Sequence, residues 1–189
     1  MINREPDSIQ RANSQIEITK IASVDLVPNN FSSARKTRKC YEQVLAQKMF
    51  EILISLVPDA DEVISVSNIA LFLKYLRQRI HISIEEDIIA LALLQKFSMK
   101  QVQKGIQVLR TNNIGTMLVI LIVIAIKTCR GNEYQNQYMA NMFKILPSVL
   151  NESETSFLLI IDNQIWIEDQ IYSSLFDEIR NIAEKKVTL

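Results

Sequence analysis

The sequence predicts an all-α fold, in which five consecutive helices lie between an N-terminal and a C-terminal helix. Glycine and proline are scarce, with three and four copies in 189 residues, whereas sheets joined by tight hairpins usually need more turn residues. Apolar side chains recur every three or four residues over most of the chain, which is the spacing of one helix face. Hydrophobic residues make up 48% of the sequence and charged residues 22%, so a sizeable core can be buried.

The chain divides into an N-terminal arm and one domain. Residues 1–33 are polar apart from one apolar cluster at residues 24–27, and they are predicted to be mostly irregular. Residues 34–189 are predicted to form a single domain. Four basic residues between Arg35 and Lys39 stand at its start, where the helix dipole does not favour cations. They are interpreted as a solvated helix turn, with nuclear import or an acidic partner as alternative roles.

The first two helices of the domain have clear boundary signals. A helix is predicted from near Ala34 to Pro58, which cannot continue it. The second helix follows Ser65 or Ser67 and runs to Ile80, with its apolar residues on one face.

The third helix opens with Ser83-Ile84-Glu85-Glu86, which has the form of a capping box. In this motif the serine hydroxyl accepts from the glutamate amide, and the glutamate carboxylate accepts from the serine amide. The apolar spacing carries this helix to about Ser98. Residues 99–111 show little periodicity and are predicted to be a connection.

A run dominated by Val and Ile follows Asn113 and extends from Ile114 to Lys127. Propensity alone favours a buried strand. The run is long for a strand, however, and no other segment offers a partner strand of comparable strength. We therefore predict a central helix that is surrounded on all sides. Its most apolar part, Met117–Ile126, is about half the length needed to cross a bilayer, so no membrane span is predicted.

Three more helices complete the prediction. Asn136 caps a short helix that runs through Ile145, and Pro147 stands where a first-turn proline opens the next helix. A final helix starts near Asp169, with acids at its N-terminal end and lysines at its C-terminal end, as the helix dipole prefers.

The sequence offers little material for catalysis or for nucleic-acid binding. His81 is the single histidine and is interpreted as a surface or capping residue, while Cys40 and Cys129 are interpreted as two reduced thiols. No glycine-rich phosphate loop is present, so neither an enzyme nor a cofactor is expected. The 21 basic residues balance the 21 acidic ones, which disfavours a nucleic-acid partner. The N-terminus lacks an apolar signal region, which favours an intracellular location, in the cytoplasm or the nucleus.

Two motifs in the last third of the chain stand at fixed spacing. Asn136-Gln137-Tyr138-Met139-Ala140 opens one predicted helix, and Leu150-Asn151-Glu152-Ser153-Glu154 lies in the next, followed by Phe157-Leu158 and Asp162. Upstream, Ala125-Ile126-Lys127 ends the apolar helix. Together with the helix order, these residues resemble the single-box cyclins of the P/U type, the group of the yeast phosphate-regulating cyclins, over about residues 41–180. The resemblance implies a five-helix cyclin box with an added N-terminal helix and a C-terminal helix.

The resemblance also implies a partner and two residues that bind it. In cyclins a lysine at the end of the third box helix and a glutamate in the fifth support kinase binding, and these fall on Lys127 and Glu154. A charge beside an apolar surface can bond to a partner's backbone and fix its register. The alternative is an ion pair that only ties the two helices together. The implied partner is a cyclin-dependent kinase or a kinase-like protein.

The sequence departs from the family at several positions. An arginine and an aspartate that usually pair in the interior of the box are Tyr75 and Gln95 here, and this neutral hydroxyl and amide are expected to lie together in the core. The arginine that opens the third box helix is Thr116. A double glycine after the fourth box helix is replaced by Phe143-Lys144.

Two functional hypotheses follow. The first is a non-catalytic regulatory subunit that binds and activates a cyclin-dependent kinase through the surface of the third and fifth box helices. The second is a cyclin-fold adaptor or structural subunit of a larger protein assembly without kinase binding. The departures at Tyr75, Gln95 and Thr116 motivate the second hypothesis.

Overall fold

A computed structural model describes residues 32–131 and 136–187, and in these ranges the chain forms helices and turns without a strand. The all-α prediction is therefore confirmed for the described residues. The predicted arm lies outside them, except for Ser32 and Ser33, which belong to the first helix. The helices are α1 (Ser32–Leu56), α2 (Ala60–Val63), α3 (Val66–Ile80), α4 (Ile84–Gln103), α5 (Ile114–Arg130), α6 (Asn136–Phe143), α7 (Pro147–Ile160) and α8 (Asp169–Val187), with a 3-10 turn at Thr111–Asn113 before α5.

The helix starts are fixed by the side chains that the sequence offers for capping. The Ser65 hydroxyl accepts from the Asn68 amide at 3.2 Å, so Ser65 rather than Ser67 caps α3. The capping box before α4 is complete, because the Ser83 amide donates to the Glu86 carboxylate at 2.8 Å and the Glu86 amide donates to the Ser83 hydroxyl at 3.2 Å. Pro147 occupies the first turn of α7, as predicted.

Helix α4 extends to Gln103, so its predicted end near Ser98 is wrong. The apolar pattern fades there because the last turns pack through polar groups. Lys100 and Lys104 both bind the Asp162 carboxylate, at 2.7 and 2.5 Å, and Lys104 also donates to the Leu159 carbonyl. Lys104 thus places a cation on a carbonyl of the last turn of α7, where the helix dipole favours it.

Helix α5 is the centre of the fold. Every side chain from Thr116 to Ile126 is buried, as predicted for a surrounded helix. It packs against α4 and α7, whose Phe97 and Phe157 rings stack at 5.2 Å, while α1 packs against α3, α4 and α8. The segment Thr111–Arg130 has the length and composition of a membrane-crossing helix, yet 72% of its most apolar window is buried inside the fold.

Helix α6 ends at Phe143, two residues before the predicted end. The Ile145 amide donates to the Ala140 carbonyl at 2.9 Å and the Lys144 amide to the Asn141 carbonyl at 3.3 Å, a pair of bonds that closes a helix in a Schellman motif. Lys144 adopts the left-handed conformation with φ 55°. This conformation normally takes glycine, because glycine has no Cβ.

Candidate partner-binding site

The last turn of α5 and the middle of α7 meet at the two residues that were predicted to bind a partner. The Lys127 ammonium lies 2.6 Å from a carboxylate oxygen of Glu154. The pair forms because α5 and α7 pack side by side, and Lys127 is the first charged residue after the buried stretch of α5. About a quarter of the Lys127 side chain is exposed, at 27%, against 14% for Glu154. The lysine therefore stands at the surface and the glutamate behind it.

Two asparagines extend this pair into a network across three helices. The Asn136 side-chain amide, at the start of α6, donates to the second carboxylate oxygen of Glu154. The same amide group donates to the Asn151 side-chain oxygen at 2.7 Å. We call Lys127, Glu154, Asn136 and Asn151 the Lys127 network. From the sequence, Asn151 had no assigned role and Asn136 was predicted to cap α6. The capping prediction is wrong, because Asn136 is the first residue of α6 and its side-chain oxygen accepts no hydrogen bond within the described residues.

The exposed surface beside the network mixes polar and apolar groups. Asn151, Thr155 and Leu158 follow each other at helical spacing on α7, and Leu158 is half-buried against the core. A charged pair at the edge of a partly apolar surface is a usual composition for a protein interface.

The expected pair of Tyr75 and Gln95 is not formed. Both side chains are half-buried, and no hydrogen bond joins them within the described residues. The Tyr75 ring instead meets the Phe143 ring edge-on at 6.1 Å, and the Arg79 guanidinium lies over the Tyr75 ring, 5.6 Å from its centre. An aromatic ring gains more from apolar and cationic neighbours than from a side-chain amide. The side chains at positions 75 and 143 are therefore in contact with each other.

A buried contact between an arginine and two carboxyl groups joins α3, α4 and α1, through residues that the sequence did not single out. The Arg77 guanidinium lies 2.6 Å from the Asp87 carboxylate and 3.4 Å from that of Glu42 on α1. Asp87 is completely buried, and burial raises its pKa to about 8, because desolvation and the nearby carboxylates outweigh Arg77. Burial also raises the pKa of Glu42. A second cross-link ties α5 to the α3–α4 turn, where Arg130 binds Glu86 through two bonds.

The groups that could perform chemistry are dispersed over the described part of the chain. His81 is exposed and ends α3 in the left-handed conformation, as predicted for a capping histidine. Cys40 and Cys129 are unpaired, and burial raises the pKa of the Cys129 thiol, which lowers its reactivity. Within the described residues no group of three or more His, Cys, Asp or Glu side chains is placed to hold a metal ion. The arrangement at the Lys127 network is suited to binding.

No family model, no curated protein and no solved structure matches this chain.

Proposed function

We propose that the protein is a non-catalytic regulatory subunit with a cyclin-box arrangement, which binds and activates a cyclin-dependent kinase through the surface of α5 and α7. In this proposal the five box helices are α3, α4, α5, α6 and α7, so α5 is the third of them. Helices α1 and α8 flank the box, and the short α2 is not part of it. The observation that carries the proposal is the Lys127–Glu154 pair. The two residues at the family's kinase-binding positions meet at 2.6 Å at the edge of a partly apolar surface.

The proposed action is a shift between two states of the kinase. A rigid surface that packs on a mobile helix of the kinase in its active position lowers the free energy of that state relative to the inactive one. Helix α5 is enclosed in the core, so Lys127 at its end stands on a fixed support. Catalysis belongs to the kinase, and this chain supplies contacts alone.

A second candidate is an adaptor or structural subunit of a larger assembly. The observation that favours it is that both oxygens of Glu154 already accept hydrogen bonds from inside the chain. A glutamate in this state ties helices together without a partner.

The first test of the proposal is reversal of the Lys127 charge. If the surface binds a kinase, Lys127→Glu should abolish co-purification of a cyclin-dependent kinase and leave the melting temperature nearly intact, because the lysine is partly exposed. If the pair only ties helices together, the same change should lower the melting temperature, and Lys127→Glu combined with Glu154→Lys should largely restore it. Binding and melting are measured on the same three variants.

The control variant is Lys48→Glu, which reverses the charge of a lysine in another ion pair. This pair joins Lys48 on α1 to Glu178 on α8. It should leave kinase binding unchanged. Equal kinase binding by all variants would show that Lys127 and Glu154 do not contact the kinase. Recovery of a non-kinase assembly at near-equal amount would support the adaptor instead.

A further inference from the structure

The most exposed apolar side chains of the described residues are concentrated in one region. Five large apolar side chains are between 63% and 72% exposed, and four of them lie near the end of α4, at the end of α7 or in the α7–α8 connection: Met99, Val102, Leu159 and Trp166. The fifth, Leu146, lies in the turn between α6 and α7. Single exposed apolar side chains are normal, whereas a concentration of them marks an interaction site.

Lysines of α4 hold the α7–α8 connection along this part of the helix, so the four side chains belong to one surface. Lys96 donates to the Trp166 carbonyl at 2.6 Å, and Lys104 donates to the Leu159 carbonyl at 3.1 Å. The two α4 members follow Lys96 at steps of three residues, which are neighbouring positions on a helix. We call this region the Trp166 surface, defined by Met99, Val102, Leu159 and Trp166.

The backbone that carries Trp166 is fixed before any partner binds. Asp162 and Asn163 both adopt the left-handed conformation, with φ 57° and 58°, which residues with a Cβ rarely adopt in succession. The Asp162 carboxylate is bound by Lys100 at 2.7 Å and by Lys104 at 2.5 Å. A side chain on a fixed backbone loses little conformational entropy when it binds. Tryptophan is also among the residue types that contribute most to binding at the centre of an interface.

The charges around the Trp166 surface balance, which bears on the kind of partner. The three lysines of α4 are matched in number by three acids in and after the connection: Asp162, Glu168 and Asp169. A surface without net charge does not repel a copy of itself. It also gains little from a strongly charged partner such as nucleic acid or an anionic membrane.

The size of the Trp166 surface fits an interface between two copies of the chain. Side chains exposed to these fractions offer roughly 500 Å² of apolar area, at the upper end for one patch of a monomer. A stable interface buries about 800 Å² on each partner, and about two thirds of this area is apolar in homodimers. The Trp166 surface therefore supplies the apolar share that one half of a homodimer interface requires.

We infer that the Trp166 surface binds the same surface of a second copy of this chain, in a dimer with two-fold symmetry. Such an interface needs one self-complementary surface and no second site. The inference goes beyond the proposed function and does not depend on it. Asn151 and Glu154 of the Lys127 network lie nearer the start of α7, whereas Leu159 lies in its last turn, so the dimer leaves the network open to a kinase.

The dimer can be detected through Trp166 itself, which is the single tryptophan of the chain. The full chain is studied by sedimentation equilibrium and by fluorescence, from low to high micromolar concentration. Sedimentation should show a monomer that converts to a dimer. Because the dimer buries Trp166, the fluorescence emission should shift to shorter wavelength and quenching by acrylamide should fall over the same concentrations.

Two variants of similarly exposed residues test the location of the contact. Val102→Glu brings a charge into the apolar surface of both copies and should weaken dimerisation at least about tenfold. Leu146→Glu adds the same charge outside the Trp166 surface and should leave the dimer intact. Trp166→Ala, which is followed by sedimentation alone, should weaken dimerisation as Val102→Glu does. Circular dichroism checks that all three variants keep the helical content of the wild type.

Three results would overturn the inference. A wild-type monomer at every concentration with a readily quenched Trp166 means that the surface is open to a different partner. A monomer with a protected Trp166 means that residues of the same chain cover it. A dimer that neither Val102→Glu nor Trp166→Ala weakens has its contact elsewhere. None of these results changes what the Lys127→Glu test says about kinase binding.

Discussion

Charged side chains are balanced differently at the surface and in the core of this protein. At the surface one ammonium group, that of Lys127, pairs with one carboxylate, that of Glu154, and both side chains are partly exposed to solvent. In the core one guanidinium, that of Arg77, serves the carboxyl groups of both Asp87 and Glu42. One Asp87 oxygen has no hydrogen-bond partner within the described residues. A buried carboxylate without full compensation is unfavourable, so the Asp87 carboxyl group retains its proton to a higher pH.

The stability of the protein should therefore fall as pH rises from about 5 to about 8. The pKa of Asp87 is 3.8 in the unfolded chain and about 8 in the fold, so between these values the folded protein binds more protons than the unfolded one. Under this condition the free energy of unfolding decreases with pH, by at most about 1.4 kcal/mol per pH unit for one proton. Asn at position 87 does not titrate, so Asp87→Asn should flatten the dependence. Urea unfolding at pH 5, 6.5 and 8 measures both slopes, and equal slopes would contradict the assignment to Asp87.

The Asp87 cluster could not be predicted from the sequence, and the reason is physical. Three acids open α4, and the helix dipole and the capping box explain acids at that place without any burial. Only the packing of α1 and α3 against this turn distinguishes the buried Asp87 from the exposed Glu85. The Lys127–Glu154 contact matches one of the two alternatives drawn from the sequence, an ion pair between two helices.

Helix ends show how far local patterns determine the elements. The starts of α3, α4 and α7 follow from Ser65, Ser83 and Pro147, whose capping chemistry acts within one turn. The end of α4 was missed because its last turns are held by lysines that reach α7, a contact between segments about sixty residues apart. Local signals therefore predict where helices begin better than where tertiary contacts allow them to continue.

Helix α6 ends on a lysine in a conformation that suits glycine. Lys144 has φ 55°, in the left-handed region, whereas the matching end of α4 carries Gly105 with φ 63°. Lys144→Gly should stabilise the protein by about 0.5–1 kcal/mol. Glycine removes the Cβ strain of the left-handed conformation in the folded state, and this gain outweighs the larger conformational entropy of glycine in the unfolded chain. Lys144→Ala keeps a Cβ and should give no gain. Chemical denaturation measures all three proteins, and equal stability of the glycine and alanine variants would show that Lys144 is unstrained.

The molecule as a whole is organised around one helix that is apolar on every side. Helix α5 was identified from the length of its apolar run and from the lack of a partner strand, and the structure confirms both its helical state and its burial. The positions of α4 and α7 against it were not predictable, since every side chain of such a helix offers similar apolar surface. The pairing is instead selected by particular contacts such as the stacked Phe97 and Phe157 rings.

The enclosure of α5 predicts large losses of stability when its side chains are shortened. Ile120 and Ile124 are each about 2% exposed, so Ile120→Ala or Ile124→Ala should reduce the free energy of unfolding by about 2–4 kcal/mol, through lost burial and the cavity left behind. The matched control is Ile54→Ala on α1, where the side chain is 42% exposed and the change should stay near 0.5 kcal/mol or below. Urea unfolding followed by circular dichroism gives both the stability and the helical signal. A small effect at Ile120 and Ile124, comparable to that at Ile54, would mean that α5 has an open face. The fixed support for Lys127 would then be lost, because an exposed helix can shift relative to α7 when a partner binds.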